Sequence, residues 1–596
     1  MSVLTPAPSW RLIQGHVYGL AQPSLLGTIG VALPAGTHLK ALDRFMATLV
    51  AEPAPRLTEA DPGLALIERV VHWVGEIQRQ ARIALSTTAH IRPLPTGQQR
   101  AFEIAMPVAT GQACTAALKF VVKAVNRCLE APLDASDSDA LRAEFAQLAD
   151  ELKPHADPGF NRFHVLQAAF RLGVPVSLLA GRAYRFGVGI RARVMESSIT
   201  DTTSALGMKL AQDKWITARV LRALGLPVPT HERVGNAEQA VAAARALGYP
   251  VVVKPANLDQ GRGVAANLRS DAAVVAAFDT ARALSEHILV EKHFDGFGHR
   301  LTVHDGELIG ALRRIPGGVV GDGEHSIRQL VEIQLQQPDV RRSVNMGRVR
   351  LDDEAGAMLA EQGLELQSVP AAGRFVVMRR RDNLSAGGTL EHIDPARIHP
   401  DNLQLALRAA RALYLDLAGV DILSADISQS WRTAGAVICE VNGRPQFGPG
   451  PKGDNFERVL RRMLGPDARI PVHLYLCGSQ EAADLPERLQ ALQRQLGVQA
   501  VSCSHGVWVD GQSRGLALTG GFAAARAALF DRDTTSLLMA LTPREVMAQG
   551  LPIDCVDAVH VAKPDNWPRE ERQELEHAID WAGSDATQVH FEASPR

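Results

Sequence analysis

The chain has 596 residues, of which 46% are hydrophobic and 21% are charged. These values are typical of folded globular proteins, and the length suffices for about three to five domains. The 63 basic and 65 acidic residues leave a net charge of −2, and only 5% of the residues are aromatic. Such a composition disfavours a protein that binds nucleic acid through a broad basic or base-stacking surface.

The sequence carries no signal for a membrane or for secretion. No apolar run approaches the roughly 18 residues of a membrane span, and the N-terminus lacks a charged segment followed by an apolar one. The cysteines are too sparse for a disulfide framework, and no two have C-x-x-C spacing. We therefore expect a cytoplasmic protein with free thiols and without nucleic-acid or membrane partners.

The first 160 residues are predicted to form one region with two long helices. Apolar residues recur at helical spacing in 64–84 and in 113–129. One strand is expected between these helices, within HIRPLPTGQQRAFEIAMPVATG, because turn-forming residues flank an apolar stretch. A further helix is expected to begin in APLDASDSDALRAEF, where an Asp or Ser side chain can cap it.

Over residues 161–465, strands and helices are predicted to alternate, which indicates an α/β or α+β domain. A helix over 215–224 leads into an extended connection over 226–234. Asn236 is placed to cap the helix that follows. Residues 251–255, VVVKP, are then predicted to form a short buried strand.

The last region, residues 466–596, is also predicted to mix strands and helices. IPVHLYLCG indicates a strand, LPERLQALQRQLG a helix, and GVWVDGQSRGLAL a hairpin around Asp510–Gly511. A charged helix is expected within PREERQELEHAIDW. The predicted fold class is therefore α/β (α+β), divided into residues 1–160, 161–465 and 466–596.

Four features of the middle region can act together on a nucleotide. Lys214 lies at a predicted helix start, Lys254 is near the end of the buried strand, and a glycine-containing loop follows at 259–264. Two lysines distant in sequence can converge on the phosphates of ATP, and a glycine loop lets backbone N–H groups approach phosphate oxygens. The sequence contains no G-x-x-x-x-G-K-[ST] motif, so this combination predicts ATP binding without a P-loop.

The fourth feature is a set of acidic and amide side chains late in the region. Glu440 and Asn442 are two residues apart on a predicted strand, so both face one side of a sheet. Asp421 and Asp426 precede them, and Asp426 is expected to lie on the neighbouring strand. Carboxylate and amide oxygens suit Mg²⁺, so Asp426, Glu440 and Asn442 are predicted to hold this ion against the phosphates.

In this order the four features resemble the ATP-grasp carboxylate–amine ligases. Within that group the chain is most similar to the ATP-grasp domain of the cyanophycin synthetase family, through stretches such as KPANLDQGRGV, NLSAGGT and ADIS…EVNGRP. The resemblance implies Asp426, Glu440 and Asn442 as Mg²⁺ ligands. It also implies an ATP site formed by Lys214, Lys254, Gly261, Arg262, Gly263 and, at the adenine and ribose end, Glu291.

The reaction that the resemblance implies has two steps. ATP converts a carboxylate into an acyl phosphate, and an amine then displaces phosphate to form an amide. Catalysis of this kind is mostly positioning and charge neutralisation. The side chains expected to neutralise phosphate or carboxylate are Arg300, Arg313, Arg314, Arg379 and Arg380, of which Arg300, Arg314 and Arg379 are predicted to be catalytic. The loop expected to bind the substrate carboxylate contains Asn383, Ser385, Gly387 and Gly388.

Residues 466–596 resemble the start of the Mur-ligase-like domain that follows the ATP-grasp domain in cyanophycin synthetases. In that family the domain opens with a strand and a phosphate loop of GTNGKTT type. Here the segment 477–481, CGSQE, stands in this place without a lysine or a second glycine. A phosphate cradle requires unhindered N–H groups and a cation. We therefore expect a truncated Mur-like region without a second ATP site.

A chain with one ATP site resembles the short, second type of cyanophycin synthetase. That type joins preformed β-aspartyl-arginine dipeptides into the polymer through the backbone carboxylate, and the N-terminal region would help to hold substrate or polymer. Two alternatives stay open: an ATP-grasp ligase for a different amide, and a non-catalytic partner of a full-length synthetase. The family implies a homo-oligomer, a dimer or a tetramer.

Two departures from the family pattern bear on the substrate. The pattern G-x-D-x-R is replaced by GFGHR at 296–300, so that Gly298 stands where an acid is usual. A metal-type H-x-x-E-H motif of some relatives is not retained at His72, which is expected to be structural. Both differences concern the substrate more than the ATP chemistry.

Overall fold

The computed structural model divides the chain into two compact units. The first consists of Met1–Ser197 together with Leu460–Arg596, and the second of Ser198–Val459. The described residues are 2–34, 37, 39–50, 52, 61–95, 100–258, 261–336, 349–379, 387–448, 450, 454–481, 485–515, 518–564, 567–583 and 589–591.

The described residues in the N-terminal part of the first unit form five α-helices and eight strands. The helices are α1 (Lys40–Met46), α2 (Pro62–Gln80), α3 (Gly111–Glu130), α4 (Ala135–Leu152) and α5 (Phe160–Arg171). The strands are β1 (Leu4–Pro6), β2 (Arg11–Ile13), β3 (Ser24–Val31), β4 (His90–Leu94), β5 (Arg100–Pro107), β6 (Val176–Ala180), β7 (Ala183–Phe186) and β8 (Arg193–Glu196).

An antiparallel sheet organises this part. Strand β3 pairs with β1, β2 and β5, and β5 pairs with β4 at the edge. The helices α2 and α3 confirm the two long helices predicted from apolar spacing, and they bury Trp73 and Val121 in one core with Phe102 of β5. Two strands, β4 and β5, lie where the sequence predicted one. The segment HIRPL of β4 has no regular apolar alternation and contains Pro93, which strands accept at sheet edges.

The second unit contains most of the remaining helices and strands. Its helices are α6 (Ala205–Gln212), α7 (Lys214–Ala223), α8 (Ala237–Leu247), α9 (Asp271–Arg282), α10 (Ile327–Gln336), α11 (Asp353–Glu361), α12 (Pro400–Ala412), α13 (Trp431–Ala434) and the start of α14 (Asn455–Leu464). Its strands are β9 (Ile199–Thr200), β10 (His231–Val234), β11 (Val251–Pro255), β12 (Ala265–Leu268), β13 (Ile288–Lys292), β14 (Phe297–His304), β15 (Glu307–Ile315), β16 (Gly318–Val320), β17 (Phe375–Val377), β18 (Thr389–His392), β19 (Leu417–Ser424) and β20 (Ala436–Asn442).

Two antiparallel sheets dominate the second unit. The smaller has the order β10–β13–β11–β12 and the larger β18–β15–β14–β19–β20. All five residues of β11 are buried, which confirms the strand predicted from VVVKP. Strand β10 lies in the segment 226–234, for which the sequence predicted only an extended connection. Its residues, HERV, are mostly polar because β10 is an edge strand, and the pattern of a buried strand is therefore missing.

The C-terminal part of the first unit is built around a mainly parallel sheet. Its order is β24–β23–β22–β25–β21–β26–β27, in which β22, β25, β21, β26 and β27 are parallel neighbours. Its strands are β21 (Val472–Leu476), β22 (Ala500–Cys503), β23 (Gly506–Val509), β24 (Gln512–Ser513), β25 (Leu537–Leu541), β26 (Ala558–Val561) and β27 (Val589–Phe591). Its helices are α15 (Leu485–Leu496), α16 (Gly521–Phe530), α17 (Pro543–Gln549) and α18 (Arg569–Trp581).

The N-terminal segment enters the core of this parallel sheet. The side chains of Ile13, Val17 and Leu20 belong to the same buried cluster as those of the sheet. The segment is also tied by backbone pairing, since His16 and Leu551 form an antiparallel bridge. Residues from both ends of the sequence therefore form one unit, while the boundaries of the three predicted regions stay predictions.

Local signals in the sequence place several element ends correctly. Asn236 caps α8, where its side chain accepts the N–H of Gln239 at 2.8 Å. Asp510 and Gly511 have φ of +51° and +74° in the tight turn between β23 and β24, which confirms the predicted hairpin.

Throughout the described ranges, no helix has both the length and the apolar character needed to cross a membrane.

Candidate active site

A cavity of about 1330 Å³ in the second unit is lined by the two larger sheets of this unit. Strands β11, β12 and β13 contribute from the four-stranded sheet, and β14, β15, β19 and β20 from the five-stranded sheet. The residues predicted from the sequence that line this cavity are Lys214, Lys254, Gly261, Gly263, Glu291, Arg314 and Glu440. Side chains far apart in the chain therefore meet at one place.

Lys254 and Glu291 form a buried ion pair on the smaller sheet. In the antiparallel pairing of β11 with β13, Val252 stands opposite Glu291, which places Glu291 on the same face as Lys254. Lys254 Nζ lies 2.7 Å from Glu291 Oε2, and the side chains are 8% and 10% exposed. Burial alone disfavours the ammonium, but Glu291 outweighs it and raises the pKa of Lys254. Lys254 therefore remains an ammonium at neutral pH, paired with the Glu291 carboxylate.

Lys214 is the first residue of α7, and its ammonium reaches the larger sheet. Asp213 caps the helix by accepting two backbone N–H groups, which fixes where the helix begins. The Lys214 ammonium donates to the Leu258 carbonyl at 2.7 Å and lies 3.1 Å from Glu440 Oε1. Both lysines thus contact a carboxylate within the same cavity.

Asp421 lies in β19 among cationic and amide donors. Arg300 of β14 binds both carboxylate oxygens, with Nη2 at 2.8 Å from Oδ2. Arg314 Nη2 lies 3.2 Å from the same oxygen, and Asn442 Nδ2 lies 3.4 Å from it. Burial opposes ionisation of Asp421, but Arg300 outweighs it and holds the pKa of this carboxyl below its ordinary value. Arg300 and Arg314 are therefore both engaged by a carboxylate of the protein.

The acidic residue on the strand beside Glu440 is Asp421 rather than Asp426. In the pairing of β19 with β20, Asp421 stands opposite Glu440. Asp426 lies beyond the end of β19, in a turn where its carboxylate accepts from Ser428 and Gln429. The prediction that Asp426 belongs to the strand is therefore wrong. GVDILSAD offers two acids, and the sequence alone does not show that the strand ends between them.

Arg379 binds the acidic end of α11. Its guanidinium lies 2.5 and 3.0 Å from the two carboxylate oxygens of Asp352 and 3.1 Å from Glu354 Oε2. Glu354 in turn lines the cavity. Arg379 is thus one contact removed from the cavity, and its catalytic role stays a prediction.

The predicted phosphate loop is described from Gly261 onward. Gly261 and Gly263 both have φ of +69°, a conformation that glycine adopts without steric cost. A Cβ at Gly263 would lie 3.1 Å from Leu284 Cδ1 and from Pro255 Cγ, so the loop packs closely on its surroundings. Arg262 is exposed on this loop. The turn is therefore compatible with close approach of a ligand to its backbone.

The predicted substrate loop lies largely outside the described residues. Arg380, Asn383 and Ser385 fall there. Gly387 and Gly388 are described and buried, and Gly387 has φ of +89°. A substrate-binding role for this loop stays an expectation.

Several side chains that line the cavity were not predicted from the sequence. Glu354 and Glu361 come from α11, and Cys439 directly precedes Glu440 on β20. Phe297 also lines the cavity, and the Arg313 guanidinium lies over its ring, 3.9 Å from the centroid. Cys439 could have been found from the sequence, because it adjoins the predicted site residue Glu440. The acids of α11 could not, because nothing in the spacing of the motifs connects this helix with the lysines.

Glu440, Asp421 and Asn442 offer hard oxygen donors side by side. Asn442 donates its amide N–H to Asp421, which turns its amide oxygen away from that carboxylate. Mg²⁺ at nucleotide sites uses one or two carboxylates, with phosphate and water oxygens as further ligands. Among the described residues, no cluster of three or more His, Cys, Asp and Glu could hold a metal. The donor set therefore fits Mg²⁺ that arrives with phosphates, and does not fit a metal held by the protein alone.

In the parallel sheet of the first unit, β21 ends just before the segment 477–481. The sequence predicted that this segment lacks the phosphate loop of a Mur-ligase-like domain. The N–H of Ser479, just beyond β21, donates to Glu571 Oε2 at 3.0 Å. Glu571 is buried, and a Cβ at Gly478 would lie 2.7 Å from the ring of Trp567. An acidic side chain therefore takes an N–H that a phosphate would need. The absence of a second ATP site stays a prediction.

Fold and site together define an ATP-grasp domain. Residues 208–305 match the family model of the ATP-grasp domain, and residues 368–451 match that of the RimK-like ATP-grasp domain. Both ranges lie within the second unit, and they contain both lysines, Glu291 and Glu440. The α/β fold class and the ATP-grasp domain predicted from the sequence are confirmed.

Among curated proteins, the chain is similar to the cyanophycin synthetase of Trichormus variabilis, with 35% identity over 51% of this chain and 35% of that protein. The predicted relation to cyanophycin synthetases is thereby confirmed. The chain is also 27% identical to the glutathione biosynthesis bifunctional protein GshAB of Mannheimia succiniciproducens, over 54% of this chain and 46% of that protein. It spans about a third to a half of the length of these relatives.

A solved structure with some likeness is that of a bifunctional glutathione synthetase from Pasteurella multocida. The alignment covers 58% of this chain and 51% of that chain, with 23% identity and a TM-score of 0.38. This likeness is too small to support a conclusion, so the family matches and the geometry of the cavity carry the assignment.

Proposed function

We propose that this protein is an ATP-dependent carboxylate–amine ligase. The observation that carries the proposal is one cavity, in the part of the chain that matches ATP-grasp domains, lined by Lys214, Lys254, Arg314 and Glu440. Convergent cations suit a polyphosphate, and a neighbouring carboxylate suits its metal. The ligase relatives support the same reaction class.

The two lysines would bind the phosphates of ATP as point charges. The turn at Gly261–Gly263 would bring backbone N–H groups to the same phosphates. Mg²⁺, when bound, would neutralise phosphate charge, with Glu440, Asp421 and Asn442 as its protein ligands.

The proposed chemistry needs no nucleophile from the protein. In the first step, an oxygen of the substrate carboxylate attacks the γ-phosphorus, the bond to the bridging oxygen breaks, and ADP leaves. In the second step, the amine nitrogen attacks the acyl carbon, the bond to phosphate breaks, and the nitrogen passes a proton to the departing phosphate. Arg314, which lines the cavity, is placed to stabilise negative charge on the transferred group. Arg300 would act by positioning Asp421.

As substrate we propose β-aspartyl-arginine dipeptides, and as product cyanophycin or a cyanophycin-like polymer. The similarity to cyanophycin synthetases supports this choice. The contact between Glu571 and Ser479 supports a single ATP site, which suffices when only one kind of bond is formed. The N-terminal region would help to hold the dipeptide or the polymer.

A second candidate is a ligase that forms a different amide. The similarity to a glutathione biosynthesis protein favours it. The loop at Gly298 also favours it, because the acid usual in the cyanophycin synthetase pattern is missing there. The two lysine–carboxylate pairs, by contrast, disfavour a non-catalytic partner of another synthetase.

An ATP-dependent phosphate-release assay separates these candidates. It compares β-aspartyl-arginine, free amino acids and related dipeptides, each with and without a polymer primer, using Lys254→Ala as the control for the site. We expect release with β-aspartyl-arginine and none in the variant. Release with free amino acids but not with β-aspartyl-arginine would contradict the proposed substrate. No release with any acceptor, or equal release in Lys254→Ala, would contradict the ligase itself.

A further inference from the structure

The carboxylates best placed to hold a metal are occupied by cations of the protein. Glu440 Oε1 lies 3.1 Å from Lys214 Nζ, and the side chains are 25% and 11% exposed. Asp421 binds Arg300 through both oxygens and Arg314 through one. Each of the two carboxylates therefore already has a positively charged partner.

The charges at this end of the cavity do not favour a metal ion on its own. The carboxylates of Glu440 and Asp421 face three cations, those of Lys214, Arg300 and Arg314, for a formal sum of +1. Repulsion between partly buried charges is screened less than in water. A divalent cation alone would add to this positive charge, whereas the phosphates of a nucleotide would reverse it.

Of the three cationic side chains, that of Lys214 is best able to change its partner. Arg300 and Arg314 share Asp421, and the planar guanidinium of Arg300 is held by both carboxylate oxygens. The Lys214 ammonium stands on a flexible four-carbon stem, which can turn while α7 stays in place. It donates to the Leu258 carbonyl as well as lying beside Glu440, so it can keep one contact while it exchanges the other for a phosphate oxygen.

We propose that Lys214 is a counter-ion switch that couples nucleotide binding to metal binding. In the empty site its ammonium neutralises Glu440. When a nucleoside triphosphate binds, the ammonium moves to a phosphate oxygen, and Glu440 turns to the divalent cation. The inference rests on the proposed function, because it needs a nucleotide in this cavity, and it adds an order: the metal enters with the nucleotide or after it.

The switch makes the nucleotide and the metal affect each other's binding affinity equally. If the nucleotide raises the affinity for the metal by some factor, the metal raises the affinity for the nucleotide by the same factor. Without the Lys214 ammonium, Glu440 would attract a cation whether or not a nucleotide is present. Removal of this one charge therefore should strengthen metal binding in the empty protein.

Titration of Mn²⁺ into the full chain without nucleotide, with the unbound ion measured by electron paramagnetic resonance, tests this expectation. Lys214→Met removes the ammonium and keeps the stem, and it should raise the Mn²⁺ affinity about tenfold. Lys292→Met is the matched control, because Lys292 also lines the cavity but donates to the Gly248 and Tyr249 carbonyls at 2.8 and 3.2 Å. Its Mn²⁺ affinity should match the wild type. An unchanged affinity in Lys214→Met, or an equal rise in both variants, would overturn the switch.

Glu440→Gln tests the other half of the exchange with ATP in the presence of EDTA. The variant removes the charge that holds Lys214, so ATP affinity without metal should rise severalfold. An unchanged or lower affinity would overturn the switch even if Lys214→Met fails to fold. If the wild type binds no ATP with Mg²⁺, the proposed function fails. If it binds ATP with Mg²⁺ and Lys214→Met leaves Mn²⁺ affinity unchanged, the switch alone fails.

Discussion

Two places in the molecule were candidates for binding a phosphate group, and their polar groups are paired within the protein in different ways. In the cavity of the second unit, Lys214 and Lys254 lie beside carboxylates that border open space. At the end of β21 in the first unit, the N–H of Ser479 is bound by buried Glu571, next to Trp567. Charges paired at a cavity wall can exchange partners with a ligand, whereas the N–H of exposed Ser479 is held by the buried carboxylate of Glu571, which repels a phosphate.

The difference between the two places depends first on the largely buried charges of Asp421 and its arginine partners. Asp421→Asn leaves Arg300 and Arg314 without their carboxylate, and we expect it to lower the free energy of unfolding by about 3–5 kcal/mol. Asp426→Asn is the control, since the hydrogen bonds of that carboxylate with Ser428 and Gln429 lie within its own turn. Its stability should stay close to that of the wild type. Urea unfolding of both variants measures the difference, and equal losses would contradict the role assigned to Asp421.

The two places would not differ in this way if both served catalysis. Lys254→Met removes a cation from the cavity, and we expect kcat/KM for ATP to fall about 100-fold or more. Glu571→Gln alters the strand end and should leave kcat/KM unchanged. Steady-state phosphate release measures both, and a comparable loss in Glu571→Gln would show that the strand end takes part.

A third prediction tests the second unit away from the cavity, at Asp416. Its carboxylate accepts from Thr200 at 2.5 Å and from Thr202 at 2.7 Å, and it lies 3.4 Å from His304 Nε2. Burial opposes ionisation of Asp416, but these donors outweigh it and hold its pKa below the ordinary range. The stabilising contribution is therefore complete above the unfolded-state pKa of about 3.9 and is lost as the pH falls through the lower folded value.

Asp416→Asn should accordingly lower the free energy of unfolding by about 2 kcal/mol at neutral pH. The difference from the wild type should shrink once the pH falls below about 4. Urea unfolding at neutral and acidic pH measures this dependence. A difference that stays constant with pH would show that the charge of Asp416 does not contribute.

The smallest effect is expected at the strand end itself. Glu571→Gln weakens the hydrogen bond to Ser479, and the free energy of unfolding should fall by about 1 kcal/mol. Isothermal titration should find one ATP per chain in the wild type and in the variant. A second ATP in either protein would show that the strand end of the first unit can bind a nucleotide.

The parts of the site that the sequence predicted correctly are those set by local pattern. Val251–Pro255 is an unbroken apolar strand that contains Lys254, and Asn236 stands directly before a helical pattern. The hairpin at Asp510–Gly511 depends only on two neighbouring residues that accept positive φ. Such features follow from short-range sterics and periodicity, and these are visible in a single sequence.

The parts that the sequence did not predict depend on contacts between distant segments. The choice between Asp421 and Asp426 is made by where β19 stops pairing with β20. The partners of Arg379 are Asp352 and Glu354 at the start of α11, which precede it by 27 and 25 residues, and α11 carries no motif. Edge strands such as β10 are also not predicted, because their exposed residues need no apolar pattern. Register and tertiary pairing, rather than propensity, decide these positions.

The bridge between His16 and Leu551 has a consequence for how the protein is made. Ile13, Val17 and Leu20 leave the ribosome long before the parallel sheet that buries them, because residues 198–459 are synthesised in between. The unit whose synthesis begins first is therefore completed last. Until then, its apolar N-terminal side chains lack the parallel sheet that buries them. A chain cut near residue 465 would keep them exposed permanently, so such a truncation should aggregate rather than behave as a smaller enzyme.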